Sequence, residues 1–128
     1  MNFTGIKSKD IPSFWPHAAD LIQRGIDTYG EFSLEEVYQA LINGQYQLWV
    51  AGDKGVEAIL ITHINSNVCY VEICAGDGIK SLSYLKVVEK WAGELGCTSI
   101  EISGRRGWAK VLKDYKIKKI ILRKSLYG

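Results

Sequence analysis

Proline and long apolar runs are scarce in this sequence. Only two of its 128 residues are proline, and its apolar stretches are a few residues long, as in 120–122. Because a membrane-spanning helix needs about 20 consecutive apolar residues, the sequence predicts no such helix. The N-terminal segment MNFTGIKSKD also lacks the apolar region of a secretory signal peptide, so we expect no signal sequence there.

Cysteine and histidine are also few. The three cysteines stand at positions 69, 74 and 97, and an odd number without repeated spacing argues against a disulfide framework or a structural zinc site. We therefore expect small buried thiols in a reducing cytoplasm, and no bound metal. His17 and His63 have no partner at catalytic or metal-ligating spacing, and we expect structural or surface roles for both.

What the sequence does contain is the composition of one ordinary folded domain. Hydrophobic residues make up 47% and charged residues 23% of the chain, which excludes intrinsic disorder and predicts a single domain over 1–128. The net charge of +2 conceals an asymmetry, because nine of the 16 basic residues lie within 105–128 beside one acidic residue. Such a segment suits phosphate groups, nucleic acid or an acidic protein surface.

Periodicity predicts one strand and two helices in the first third of the chain. Residues 2–7 favour a strand, and apolar residues at a 3.6-residue period predict a helix over 11–29. Ser33 and Glu36 have the spacing of a capping box, in which each side chain bonds to the other residue's backbone amide. A second helix is therefore predicted after Ser33, ending at Gly44.

The rest of the chain predicts a mixed sheet. Strands of an antiparallel meander are predicted over 46–51, 56–65 and 68–74. A helix over 81–95 and a strand over 97–103 then predict a parallel, right-handed crossover. A short helix over 108–113 and a last strand over 117–124 complete the pattern. The expected fold class is α+β, with about six strands and about four helices.

This order of elements resembles the GCN5-related N-acetyltransferase (GNAT) fold. The diagnostic part is the strand 68–74, a glycine-containing turn, the long helix and the next strand. Three segments also resemble small GNAT-like proteins of tailed bacteriophages and prophages: QLWVAGD (47–53), KWAGELGC (90–97) and SGRRGWAKVLK (103–113). The resemblance implies acetyl-CoA as a possible cosubstrate, and a location in the host cytoplasm or the virion.

The turn before the long helix is the cofactor site that the resemblance implies. In GNATs this turn and the helix N-terminus hold the pyrophosphate of acetyl-CoA, because free amides and the helix dipole attract anions. The turn keeps a Gly-x-Gly pattern but lacks a leading Arg or Gln, and Asp77 adds negative charge. A glycine-rich turn capped by Asp77 or Ser81 is the alternative. The implied cofactor-binding residues are Ile73, Cys74, Ala75, Gly76, Gly78, Ile79, Lys80 and Ser81.

Acyl transfer needs a base for the acceptor amine and an acid for the departing thiolate. The resemblance makes Glu72 and Glu101 candidate bases, because GNATs often carry a carboxylate on the central strands. Both are flanked by apolar residues, so two solvent-facing strand positions are the alternative. Tyr115 is the candidate acid because it follows the short helix, although it is shifted from the Gly-Tyr pattern of the phage proteins. A partly buried surface aromatic is its alternative.

The segment GRRGW adds a candidate substrate-binding or partner-binding site. Arg105 and Arg106 stand between two glycines, and paired guanidinium groups bind phosphate or carboxylate. Trp108 can anchor the next helix or offer a stacking face. A structural loop paired with the acidic body is the alternative. The basic run over 110–124 suits nucleic acid, but it lacks a known nucleic-acid motif, and a solvated surface explains it more simply.

Two functions therefore stay open. One is an acyl-CoA-dependent N-acyltransferase that moves an acetyl group from acetyl-CoA to an unidentified amine. The other is a catalytically inactive GNAT-fold bacteriophage protein with a structural or accessory role in the virion. GNATs usually close the sheet with two C-terminal strands, and this sequence predicts only one. The sheet edge near 120–122 is therefore expected to support self-association or docking to phage structural proteins.

Overall fold

The computed structural model describes residues 2–29, 32–76, 83–103 and 108–127. The strands are β1 (Asn2–Ile6), β2 (Tyr46–Gly52), β3 (Ala58–Asn65), β4 (Val68–Gly76) and β5 (Ser99–Ile102). The helices are α1 (Ile11–Tyr29), α2 (Leu34–Ile42), α3 (Leu85–Glu94) and the single turn α4 (Trp108–Val111), and a 3-10 turn spans Ser8–Asp10. No helix in these ranges is both long and apolar enough to cross a membrane.

The five strands form one mixed sheet in the order β1-β2-β3-β4-β5. The first four strands pair antiparallel, and β5 pairs parallel to β4 after the crossover through α3. Both the predicted meander and the predicted parallel crossover are thus confirmed. The turn between β3 and β4 places Ser66 and Asn67 at positive φ, as expected for a tight two-residue hairpin.

The start of α2 follows directly from its sequence. The Ser33 hydroxyl accepts a hydrogen bond from the Glu36 amide at 3.1 Å, and the Ser33 amide donates to the Glu36 carboxylate at 3.3 Å. The predicted capping box is therefore present and satisfies two backbone amides that the helix leaves unpaired. The helix ends at Ile42, and Gly44 follows with a φ of 83°.

Apolar side chains cover both faces of the sheet. On one face α1 and α2 pack over alternate residues of the central strands, and on the other face α3 packs over the residues between them. The first core includes Ile22, Val37, Leu48, Ile61 and Ile73, all 1% exposed or less. The two-sided burial explains the nearly continuous apolar pattern of β3, whose residues 58–62 are all buried.

A β-bulge interrupts the pairing of β3 with β4. Ile61 lies opposite Ile73, but the next residue, Thr62, lies opposite Val71, so Glu72 is the extra residue on β4. A bulge bends its strand and changes the direction of the side chain it carries. The bulge therefore determines the direction in which the Glu72 side chain leaves the sheet.

The sequence prediction of a last strand over 117–124 is wrong in this structure. Residues 115–127 contain no helix or strand, and the apolar side chains within 117–127 are exposed. Lys118 is held to Glu101 on β5 by an ion pair of 2.6 Å, but the segment does not pair with that strand. The β-branched residues favour a strand only when a neighbouring edge accepts their hydrogen bonds, and five described strands form the sheet without them.

Gly25 allows α1 to approach the sheet closely. A Cβ atom at this position would overlap Cγ2 of Ile73, a fully buried and branched side chain with little room to move. We expect Gly25→Ala to lower the free energy of unfolding by about 1–2 kcal/mol through overpacking. Gly93→Ala in α3 is the matched control, because its Cβ would enter open space.

We expect the control to raise stability by about 0.5–1 kcal/mol, the usual helix-propensity gain of alanine over glycine. Urea denaturation followed by circular dichroism measures both variants. Equal effects of the two substitutions would contradict the close approach of α1 to β4.

Candidate functional site

The two parallel strands separate part of the way along the sheet. Pairing of β4 with β5 covers Val68–Val71, and the last contact is the Ser103 amide at 3.5 Å from the Val71 carbonyl. Beyond this point β4 continues to Gly76, paired with β3 alone among the described strands. Among the described residues, the pairing of β4 with β5 therefore ends at Val71, and the last part of β4 has no described strand on that side.

A cavity of about 800 Å³ lies between α1 and the end of β4, and we call it the cleft. One wall is the end of β4, and another is the polar side of α1, with Trp108 of α4 and the two residues before β3 completing the lining. Cys74, Ala75, Gly76 and Trp108 line it, so the structure brings together four of the residues predicted to bind cofactor, substrate or partner. Ile73 turns into the core against α1.

Other predicted site residues lie outside the described ranges. They are Gly78, Ile79, Lys80 and Ser81 of the predicted pyrophosphate turn, and Arg105 and Arg106 of the GRRGW segment. Their roles stay predictions from the sequence.

The backbone conformation at the end of β4 requires a glycine at position 76. Its φ of 92° lies in the left-handed region, and a Cβ there would overlap the Glu57 carbonyl on the neighbouring chain segment. Only glycine meets both conditions without strain. The cleft floor thus depends on this residue for its shape.

The described lining carries charges of both signs. His17, Asp20 and Arg24 project from α1, and Glu57 precedes β3. Arg24 is the one Lys or Arg side chain among the described lining residues. A guanidinium at the rim suits an anionic ligand group such as a phosphate.

An aromatic row crosses the sheet near the end of the pairing between β4 and β5. Tyr46 of β2 lies opposite His63 of β3, which lies opposite Tyr70 of β4. The His63 ring stacks between the two tyrosine rings, with centroids 5.2 Å from Tyr46 and 4.9 Å from Tyr70. Glu101 of β5 is the next residue across, opposite Tyr70.

Glu72 comes close to this row because of the bulge. Its Oε1 lies 3.1 Å from Nδ1 of His63, and both side chains are about one-fifth to one-quarter exposed. Burial, followed by the charges of Glu72 and Glu36, raises the pKa of Tyr46. Negative potential therefore collects at this end of the sheet. The expectation of a structural or surface role for His63 stays a prediction.

The other candidate base has a different environment. Glu101 accepts the 2.6 Å hydrogen bond of Lys118 on the C-terminal segment, and this contact raises the pKa of Lys118. Glu101 thus has a cation beside it, whereas Glu72 has an imidazole. The two carboxylates belong to one face of the sheet but do not have the same chemical surroundings.

Tyr115 lies in a second cavity, between α3 and the start of β5. Its hydroxyl donates a 2.7 Å hydrogen bond to Glu89 of α3. Burial, this hydrogen bond and the Glu89 charge together raise the pKa of Tyr115. The structure therefore does not bring Tyr115 together with the cleft, and a hydroxyl held by a carboxylate is a weaker proton donor to any other group. Its assignment as the acid stays a prediction.

The cysteines are buried to different degrees. Cys69 and Cys74 are buried, and Cys97 is partly exposed. Burial raises the pKa of Cys69 to about 11, with Cys97 adding to the shift. At neutral pH the Cys69 side chain is a thiol, which is a poor nucleophile. No group of three His, Cys, Asp or Glu residues in the described ranges is arranged to hold a metal.

Comparison with solved structures finds this fold in acetyltransferases. An aminoglycoside acetyltransferase from an uncultured soil metagenomic sample, in complex with sisomicin, has a TM-score of 0.70 and 12% identity over 98% of this chain and 95% of that chain. The aminoglycoside N-acetyltransferase AAC(6')-Iy in complex with CoA has a TM-score of 0.65 and 14% identity over 97% of this chain and 98% of that chain. A GNAT family acetyltransferase from Staphylococcus aureus has a TM-score of 0.62 and 10% identity over 98% of this chain and 100% of that chain.

No family model and no curated protein sequence matches the chain. At 10–14% identity the structural similarity shows a shared fold, and the chain therefore has the GNAT fold that its element order predicted. The likeness extends over nearly the whole of each chain.

Tyr115→Phe tests what the Tyr115 hydroxyl does. Because the hydroxyl bonds a carboxylate in a partly buried site, we expect the variant to lose about 1–2 kcal/mol of unfolding free energy. Tyr127→Phe is the control, because Tyr127 is 99% exposed. Thermal and chemical unfolding measure both, and unchanged stability of Tyr115→Phe would contradict the hydrogen bond to Glu89.

Proposed function

We propose that the protein is an acyl-CoA-dependent N-acyltransferase. The observation that carries this proposal is the cavity of about 800 Å³ between α1 and Cys74–Gly76, where β4 extends past the end of its parallel pairing with β5. The same fold occurs in an aminoglycoside N-acetyltransferase in complex with CoA. The cavity falls within the usual range of small-molecule sites, about 300–1,000 Å³.

The residues present fit a long, phosphate-bearing thioester. Gly76 lines the cavity without a side chain of its own, and Arg24 supplies positive charge at the cavity wall. We propose that backbone groups of Ile73–Ala75 align the pantetheine arm, and that the turn holding Gly78, Ile79, Lys80 and Ser81 binds the pyrophosphate. Acetyl-CoA would supply the activated acyl group.

The residues proposed for proton transfer and for substrate contact are chosen by their positions in the fold. Glu72 follows the last residue of β4 that pairs with β5 and precedes Cys74 of the cavity lining by two residues, so it is the preferred base. Glu101 is held by Lys118. Arg105, Arg106 and Trp108 are proposed to contact the substrate or a partner. An amine is the acceptor class, because the sisomicin complex belongs to an aminoglycoside acetyltransferase of this fold.

Titration calorimetry with acetyl-CoA tests the proposal. We expect saturable binding to the unmodified chain, and at least tenfold weaker binding to Arg24→Glu, because the substitution puts a negative charge beside an anionic ligand. Lys9→Glu makes the same charge change at an exposed position in the 3-10 turn, away from the cavity lining. We expect its affinity to change less than twofold.

No binding at millimolar acetyl-CoA would overturn the acyltransferase proposal. Equal weakening by both charge reversals would show that the ligand responds to overall charge and not to the cleft. In either case the second predicted function, a non-catalytic role in a phage particle, would become the better account.

That second function is favoured by one specific observation, the exposed C-terminal segment. Its apolar side chains are between 67% and 99% exposed, and they are Ile117, Ile120, Ile121, Leu122, Leu126 and Tyr127. The lysines and arginines among them complement the acidic remainder of the chain. We propose a second copy of the chain as the occupant, with residues 117–124 adding to the open edge of β5.

Light scattering after size-exclusion chromatography tests this association. We expect a dimer at about 100 µM, a concentration typical of weak protein pairs, and a monomer for the double variant Ile120→Lys/Leu122→Lys. Val87→Lys is the control, because Val87 is an exposed apolar residue on α3 outside the segment. A monomeric unmodified chain, or a variant that remains dimeric, would contradict the proposed interface.

A further inference from the structure

The C-terminal segment is a surface that the cleft does not use. Of the twelve residues in 116–127, five are Lys or Arg, six are aliphatic or aromatic, and none is Asp or Glu. All twelve are exposed, and none belongs to the described residues that line the cleft. We call residues 116–127 the basic-apolar segment.

Two side-chain contacts hold the start of this segment against the domain. The hydroxyl of Tyr115, one residue before the segment, donates a 2.7 Å hydrogen bond to Glu89 of α3. Lys118 forms the 2.6 Å ion pair with Glu101 of β5. The segment therefore leaves the domain from a defined place, at the side of the sheet where β5 is the last described strand.

The apolar side chains of the segment form an uncovered surface. Their exposed fractions run from 67% to 99%, for Ile117, Ile120, Ile121, Leu122, Leu126 and Tyr127. Folded proteins seldom leave so many neighbouring apolar side chains in water unless the side chains bind a partner. The segment therefore indicates an interaction surface.

The order of residues narrows the kind of partner. Cationic and aliphatic residues are mixed along KIKKIILRK (116–124), so neither a strand nor a helix would turn the aliphatic residues to one side and the cations to the other. A second copy paired through its backbone would still leave these side chains on both faces of the added strand. Their partner must therefore accept ammonium groups and aliphatic groups next to each other.

A nucleic acid would account for the cations alone. Lysine and arginine neutralise phosphates, and a basic run can bind a polynucleotide without sequence preference. Proteins hold unpaired bases by aromatic stacking, and Tyr127 is the one aromatic residue of the segment. Five exposed aliphatic side chains would have no role against a phosphate backbone.

An anionic lipid surface accounts for both kinds of residue. Acidic headgroups attract the cations, and aliphatic side chains enter the boundary between headgroups and acyl chains. A lysine stem lies along apolar surface while its ammonium stays among the headgroups, so a mixed order is no obstacle. Tyr127 suits the same boundary, because its ring is apolar and its hydroxyl is polar.

We propose that the basic-apolar segment binds the surface of an anionic phospholipid bilayer and holds the domain there as a peripheral protein. The proposal goes beyond the acyltransferase function, because it concerns a surface outside the cleft. Its tests use no acetyl-CoA, so failure of the acyltransferase proposal would leave their results unchanged.

Co-sedimentation with vesicles tests the attraction to acidic lipid. Vesicles of equal parts phosphatidylglycerol and phosphatidylcholine are compared with vesicles of phosphatidylcholine alone, at about 1 µM protein, well below the concentration of the proposed dimer. We expect saturable binding to the mixed vesicles and weaker binding, by roughly tenfold or more, to the neutral ones. Equal binding to both kinds of vesicle, or no binding to either, would overturn the proposal.

A charge-reversed variant locates the contact. Each Lys or Arg near acidic headgroups raises affinity by roughly fivefold, so Lys119→Glu/Lys124→Glu should weaken binding to the mixed vesicles by roughly 25-fold or more. Lys7→Glu/Lys9→Glu makes the same change in net charge at exposed positions after β1, the strand at the opposite edge of the sheet. We expect less than about a threefold effect there, because salt screens distant charges. Equal losses would contradict the segment as the contact.

A second pair of variants tests the aliphatic residues. Ile121→Ser/Leu122→Ser keeps every charge, and we expect it to weaken binding to the mixed vesicles by roughly tenfold or more, because two side chains no longer leave water. Val87→Ser/Leu95→Ser is the matched control, with two exposed apolar residues at α3, and should change binding little. Because all four side chains are exposed, thermal unfolding of both variants should match that of the unmodified chain.

A fluorescent single-stranded oligonucleotide separates a lipid surface from a nucleic-acid surface. We expect it to bind more weakly than the mixed vesicles at the same ionic strength, and Ile121→Ser/Leu122→Ser to weaken the lipid contact alone. If the oligonucleotide binds more tightly than the vesicles and the serine variant changes neither affinity, the segment is a nucleic-acid surface and the lipid proposal is wrong.

Discussion

The short parallel pairing between β4 and β5 is the constraint on which the rest of the site depends. Four residue pairs join the two strands, from Val68–Ser99 to Val71–Ile102. Because β5 ends at Ile102 while β4 continues to Gly76, the end of β4 has no parallel neighbour among the described strands, and residues 74–76 line the cavity together with α1.

The bulge on β4 brings two ionisable side chains into contact. One extra residue in the strand places Glu72 next to His63, at the same level of the sheet where the parallel pairing ends. The stacked tyrosines hold the imidazole, and the core packing of α1 against Ile73 holds β4. Backbone geometry and apolar packing thus position the polar groups, which is how a rigid scaffold supports a reactive site.

Local sequence signals were sufficient to predict most of the fold. The capping box at Ser33 and Glu36, the hairpin turn at 66–67 and the crossover from β4 to β5 depend on residues close together in the chain, and each was predicted and is present. The last strand over 117–124 was predicted from the same kind of signal and is absent. A strand also needs an edge that accepts it, and local propensity carries no information about that edge.

The sequence by itself determined the order of the main elements as far as β5, because apolar periodicity and turn residues act over a few positions. It also determined the region of the cleft, since the strand–turn–helix pattern near Gly76 is local. Only the tertiary structure decided which side chains meet. His63 and Glu72 are separated by a turn and a bulge, and a register change of one residue would send one of them to the opposite face. Tyr115 likewise joined Glu89 through packing of α3, a contact between residues 26 positions apart.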